Sequence, residues 1–74
     1  MPNTMNIIGQ NIRRLRKREG LTQAALADAL GCSDYQVSNW ETGRFLPSLR
    51  YMRALADAFA VTVDAIMEAP GPES

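Results

Sequence analysis

The sequence predicts an all-α domain, a compact bundle of five short helices, and three observations carry that reading. Apolar residues return at three- and four-residue steps through most of the chain. Helix stop signals at Gly20, Gly31 and Gly43 alternate with start signals at Thr22, Ser33, Pro47-Ser48 and Thr62. Nothing alternates with the two-residue period of a strand, and no hairpin turn dipeptide occurs.

The first helix is expected over residues 6–19. Met5, Ile8, Ile12 and Leu15 form its apolar face, Arg13, Arg14 and Lys17 point away from it, and Arg16 lies on its border. Gly20 caps its end. Thr22 opens a second helix with Ala25, Leu26, Ala29 and Leu30 on its stripe, and Gly31 closes it. Ser33 and Gln36 form a capping box for a third helix, which runs to residue 42 before Gly43. Pro47-Ser48 opens a fourth, striped by Leu49, Met52, Leu55, Ala56 and Phe59, and Thr62 caps a short fifth around Ile66 and Met67. The similar stretches ALADAL at 25 and ALADAF at 54 are two amphipathic helices meeting the same packing need, not a repeat array.

With 74 residues, 46% hydrophobic and 22% charged, the composition is that of one small globular domain. The reading divides it into an N-terminal arm over 1–5, a folded domain over 6–68 and a tail over 69–74. The lone Cys32 cannot staple the fold, and without histidine it cannot build a zinc site. No nucleophile–base set is present, so an enzyme is not expected, and neither a cofactor nor a small-molecule ligand is suggested. No run of about 18 apolar residues and no signal-peptide pattern occur, so a soluble, cytoplasmic setting is expected, with no membrane partner. The formal net charge is zero, but Arg13, Arg14, Arg16, Lys17 and Arg18 oppose only Glu19 in the first 20 residues. Such a cluster is either a solvated helix face or a surface for an anionic partner.

The stretch SDYQVSNWETGR, residues 33–44, carries the functional question. Two short helices joined by a tight glycine-containing turn make a helix-turn-helix. On a helical wheel Val37, Trp40 and Glu41 face inward, while Tyr35, Ser38, Asn39 and Thr42 face outward. These outward groups are mediocre helix formers where a solvated face would carry Lys and Glu. Short amides and hydroxyls of this kind read base edges in a major groove. The alternative is a polar surface that is merely tolerated.

The segment GLTQAALADALGCSDYQVSNWETGRFLPSL resembles the helix-turn-helix of the phage repressor and Cro family, also called the xenobiotic-response-element family. The matching elements are GLTQ at 20, LA at 26, LG at 30, Ser33, VSNWE at 37, Gly43 and PS at 47, and IRRLRKREG fits the first helix. The likeness spans residues 6–68. It implies a lambda-repressor-like DNA-binding domain whose third helix lies in the major groove. It further implies a sequence-specific regulator of transcription, a repressor by preference, with double-stranded DNA as partner. Carried over by position, Asp34, Tyr35, Ser38 and Asn39 face base edges with Gln36 beside them, and Thr22, Gln23 and Arg44 meet phosphates. Asp34 departs from the family pattern: it either serves the helix dipole or accepts a hydrogen bond from cytosine. Arg16 and Glu41 are expected to pair, and Cys32 to be a buried, inert thiol. A homodimer, formed chiefly on DNA, is expected through the fourth and fifth helices, with Ile66 and Met67 at the interface. The competing reading is a helix-turn-helix module that docks a protein partner, as an antitoxin does.

Overall fold

The computed structural model describes residues 4–69, and among them every regular element is a helix. What the sequence predicts for residues 1–3 and 70–74, and for the side chain of Met5, lies outside the described residues. In chain order the helices are α1 (Thr4–Arg18), α2 (Gln23–Leu30), α3 (Asp34–Glu41), α4 (Leu49–Phe59) and α5 (Val63–Met67). α1 begins two residues earlier than the periodicity indicated, so it takes in residues 4 and 5 of the expected arm.

The starts form through side-chain caps. Thr22, Ser33, Ser48 and Thr62 each accept a hydrogen bond from the backbone N–H three residues on, supplying one of the partners that a helix start lacks. The Ser33–Gln36 capping box is closed in both directions. Between α2 and α3 the chain turns at Gly31, whose φ of 75° is left-handed, and the Cys32 N–H returns to the Ala27 carbonyl. A side chain at Gly31 would strain that backbone, which is why glycine ends the helix. α4 ends differently: Ala60 takes the left-handed position with φ 56°.

The core draws on all five helices. Phe59, Ile12, Leu26, Leu55, Ile66 and Val37 are its largest fully buried apolar side chains, joined by Ile8, Leu15, Trp40 and Met52. Each contributes about 1.5–3 kcal/mol by leaving water. Trp40 of α3 and Tyr51 of α4 meet at a ring-centroid distance of 5.3 Å and a tilt of 50°. Three expected core positions move outward. Ala25 and Ala29 are exposed, and Ala27 is buried instead. Leu26 and Leu30 set the inward face of α2, and Ala27 and Ala29 flank it equally on opposite sides; the bundle covers the Ala27 side. Leu49 is exposed because it is the first residue of α4, beyond the reach of the neighbouring helices.

Two residues outside the hydrophobic pattern fix where α1 lies. A β-carbon at Gly9 would stand 2.3 Å from the Trp40 carbonyl oxygen and 2.8 Å from that of Glu41. Only glycine lets α1 and α3 approach so closely. Asn11, fully buried, donates from Nδ2 to the carbonyls of Ile66 (2.8 Å) and Glu68 (2.7 Å). It thereby ties the end of α5 to α1 and satisfies carbonyls left open there. Arg18 does the same for α4, donating to the Phe59 carbonyl at 2.8 Å.

Gly9→Ala should therefore lower stability by about 1–3 kcal/mol, the ordinary cost of forcing one carbon into a filled contact. Urea denaturation followed by Trp40 fluorescence measures it. An unchanged midpoint would show that the helices do not cross at this distance.

Candidate nucleic-acid interface

The outward face of α3 is positioned from behind by a buried ionic clasp. Arg16 Nε donates to Glu41 Oε2 at 2.6 Å and Nη2 donates to Oε1 at 3.0 Å, a two-pronged pairing of guanidinium and carboxylate. Arg16 Nη1 also reaches the Leu21 carbonyl at 2.8 Å, and Gln23 Nε2 donates to Glu41 Oε1 at 3.1 Å. The Glu41 side chain is only 2% exposed and that of Arg16 10%. One carboxylate thus joins α1, the start of α2 and the end of α3. The hydrogen bond to Glu41 raises the Arg16 pKa above an already high ordinary value, and burial opposes the rise. A raised value means that the stabilisation is fully present below the unfolded pKa and is lost only as pH climbs through the folded one.

In front of the clasp the expected reading residues come together, with one difference. Tyr35 is 65% exposed, Asp34 and Gln36 are exposed, and Ser38 is half-buried. Asn39, expected on the outward face, is only 8% exposed. The cause is the chain beyond α3: after Gly43 it folds back, and the N–H groups of Arg44 and Phe45 donate to the Asn39 carbonyl at 2.9 and 3.3 Å. The Asn39 side-chain amide makes no hydrogen bond among the described residues. It is a wall shared by two clefts. One, of about 460 Å³, also holds Tyr35, Ser38, Thr42 and the exposed Arg44. The other, of about 260 Å³, is lined by Gln36, Trp40, Phe45, Leu46 and Tyr51.

The remaining residues divide between capping and contact. Gln36 Oε1 accepts from Ser33 N–H at 3.4 Å, which leaves its Nε2 to donate outward. Thr22 Oγ1 accepts from Ala25 N–H at 3.0 Å and keeps its own hydroxyl hydrogen for an acceptor. Gln23, expected on a phosphate, commits one amide N–H to Glu41. Asp34 occupies the first turn of α3, where a carboxylate opposes the helix dipole favourably. Cys32 is half-buried and packs against the core, and desolvation pushes its thiol pKa up. Ile66 was expected at a dimer interface. It is fully buried, packed into the core beneath α1 and α4, and has no surface to offer a second copy. Its neighbour Met67 is 45% exposed.

Sequence reasoning did not find the second cleft. Phe45 and Leu46, 59% and 49% exposed, follow the recognition stretch directly, and two large apolar residues before a proline were the available signal. Nor did it find Asn11, whose only mark is an amide one step from the apolar stripe of α1.

A family model described as a helix-turn-helix domain matches residues 7–69. The immunity repressor protein of Bacillus phage phi105 is 37% identical over 60 residues, 81% of this chain and 42% of that one. The HTH-type transcriptional activator BcrR of Enterococcus faecalis is 31% identical over 58 residues, 78% of this chain and 28% of that one. The chain thus spans less than half the length of either relative. Among solved structures, the P22 c2 repressor protein in complex with synthetic operator 9T superposes with a TM-score of 0.82 at 30% identity, covering 86% of this chain and 97% of that one.

Removing the shared carboxylate should be the costliest single change at this site. Glu41→Ala leaves the Arg16 guanidinium buried without its partner, and the expected loss is about 3–5 kcal/mol. Chemical denaturation of the variant measures it, and a loss under about 1 kcal/mol would reduce the clasp to an ordinary surface pair.

Proposed function

Because this chain belongs to the helix-turn-helix domain family, we propose that it binds double-stranded DNA sequence-specifically and regulates transcription, with α3 seated in the major groove. The observation that supports this most is the outward surface of α3. It gathers Tyr35, Ser38, Asn39 and Thr42 beside an exposed Arg44, with no acidic group lining that cleft. The likeness to a repressor that binds a synthetic operator supports the same reading. Occupying a site is in itself enough to block it, so we take repression as the default action. An activator among the relatives shows that the fold does not impose that direction.

Within this reading Asn39, Tyr35, Ser38 and Gln36 meet base edges, while Thr22, the second amide hydrogen of Gln23 and Arg44 meet phosphates. Asp34 serves the helix dipole first, and a base contact by it requires a cytosine amino group. The exposed Arg13 and Lys17 add to the field on one flank of α1. Arg14 stands on the other, held to Asn11 Oδ1 at 3.3 Å. A single domain makes few phosphate contacts. Useful affinity therefore calls for two copies on half-sites about 34 Å apart. Met67 is the apolar side chain of α5 left for such a contact.

Retention on duplex DNA as a function of salt tests the function: binding that falls steeply with salt supports it, and no retention at low salt favours a protein-docking module. Arg44→Ala should weaken binding to all sequences alike and lower the salt slope by about one unit. Asn39→Ala should cost about 1–3 kcal/mol on the preferred site and relax choice at one base position. A changed base preference in the arginine variant, or unchanged site selection in the asparagine variant, would reverse the assignment of those two residues. Sedimentation with a palindromic site should show two copies per duplex for the wild type and one for Met67→Asp. A one-to-one wild-type complex, or a variant that pairs as well as wild type, removes Met67 from the interface.

A further inference from the structure

The polar surface of α3 lacks one thing that direct readout uses. In the major groove an A·T pair presents the adenine N7 acceptor and N6 donor, then the thymine O4 acceptor and the thymine 5-methyl group. An amide matches the adenine end of that row, but the methyl needs an apolar surface. The exposed residues of α3 are Asp34, Tyr35, Gln36 and, at its end, Thr42, with Ser38 half-buried; apart from the threonine methyl, its one apolar surface is the Tyr35 ring, which does not line the cleft that Asn39 shares with Phe45. A second apolar surface, beside Asn39, lies immediately beyond the helix.

Phe45 is 59% exposed, although a ring of its size gains substantially from leaving water. Its own backbone N–H donates to the Asn39 backbone carbonyl at 3.3 Å, so its main chain is tied to that of the residue whose side-chain amide would read adenine. Phe45 and Asn39 line the same cleft, and Arg44 stands between them in the chain. Asn39 as a residue is 8% exposed, and its side-chain amide takes part in no hydrogen bond among the described residues; because no fully enclosed side-chain nitrogen or oxygen there lacks a partner, the amide keeps an opening to solvent on the cleft. A DNA strand alongside Phe45 supplies the phosphate that the neighbouring exposed Arg44 favours, whereas a second copy packed symmetrically on Phe45 would set two Arg44 side chains facing each other.

Resting on the DNA-binding reading above, we propose that Asn39 and Phe45 together read one A·T base pair, the amide taking the adenine edge and the phenyl ring covering the 5-methyl group of the thymine. Phe45 is then a specificity-determining residue, and the cleft beside it takes a 5-methylpyrimidine in preference to its unmethylated counterpart.

Replacing thymine with deoxyuridine removes the methyl and nothing else. On a site chosen from random duplexes, each thymine is replaced in turn and affinity is measured by fluorescence anisotropy. The measurements are made for the wild type, Phe45→Ala and Tyr35→Ala, with sedimentation recording stoichiometry. At the pair whose recognition Asn39→Ala relaxes, the wild type should lose about three- to tenfold on deoxyuridine, the scale of one methyl group returned to water. Phe45→Ala should bind the thymine site that much more weakly and should no longer distinguish the two bases, while Tyr35→Ala should still do so. The proposal is overturned if that pair is insensitive to the methyl. It is equally overturned if Phe45→Ala keeps the full discrimination, or if Tyr35→Ala alone abolishes it. A Phe45→Ala variant that changes only stoichiometry assigns the ring to a protein contact instead. Absence of affinity for any duplex is a separate result that removes the DNA-binding reading itself. Phe45 is largely exposed, so its removal leaves the core intact, and circular dichroism of the variant checks the fold.

Discussion

The Glu41 carboxylate is the constraint on which the arrangement rests. It receives two bonds from Arg16 and one from Gln23, and Arg16 in turn holds the Leu21 carbonyl. α1, the entrance to α2 and the exit of α3 are therefore positioned by a single group. A buried charge pair of this kind is weak evidence for extra stability, since apolar residues can fill the same space at little cost. Its contribution here is geometric. Apolar packing tolerates sliding, whereas a two-pronged guanidinium–carboxylate contact fixes both distance and orientation.

That fixed orientation matters because groove readout is a matter of register. Asn39 lies two positions before Glu41 on the same helix, whose start is set by the cap at Ser33, and the chain folds back over it after Gly43. The capping box at one end and the clasp at the other leave α3 little room to rotate. Gly9 adds the third restraint, since the α1 backbone lies directly against the Trp40 and Glu41 carbonyls. The polar face is thus carried on a helix held at its start, its end and its back.

Much of this was legible in the sequence, and the reasons for success and failure are physical. Caps are local: Thr22, Ser33 and Thr62 act within three residues, so their identity and spacing suffice. The Arg16–Glu41 pair was legible through resemblance, because no local rule links positions 25 apart. Asn39 was misjudged because a helical wheel describes a helix in isolation, and the loop after Gly43 that covers this residue is not part of the wheel. Ile66 was misjudged because adjacency on a five-residue helix shows that Ile66 and Met67 cannot both point inward, but not which of them does. The end of α4 carried no glycine signal, since Ala60 adopts the left-handed turn in its place. Gly9 lay inside a helical pattern, where glycine ordinarily marks weakness, not contact.

Asn11 has a consequence for how the molecule opens. α5 has five residues, too few to persist as a helix alone. It stays in place through Ile66 in the core and through the two carbonyls that Asn11 holds. Neither attachment passes through Glu41, Gly9 or the start of α3. The least costly excursion from the native state is then the release of this last segment, with the reading helix still clasped. Amide hydrogens of α5 would exchange on a shorter timescale than those of α3, so that the two ends of so small a domain keep different clocks.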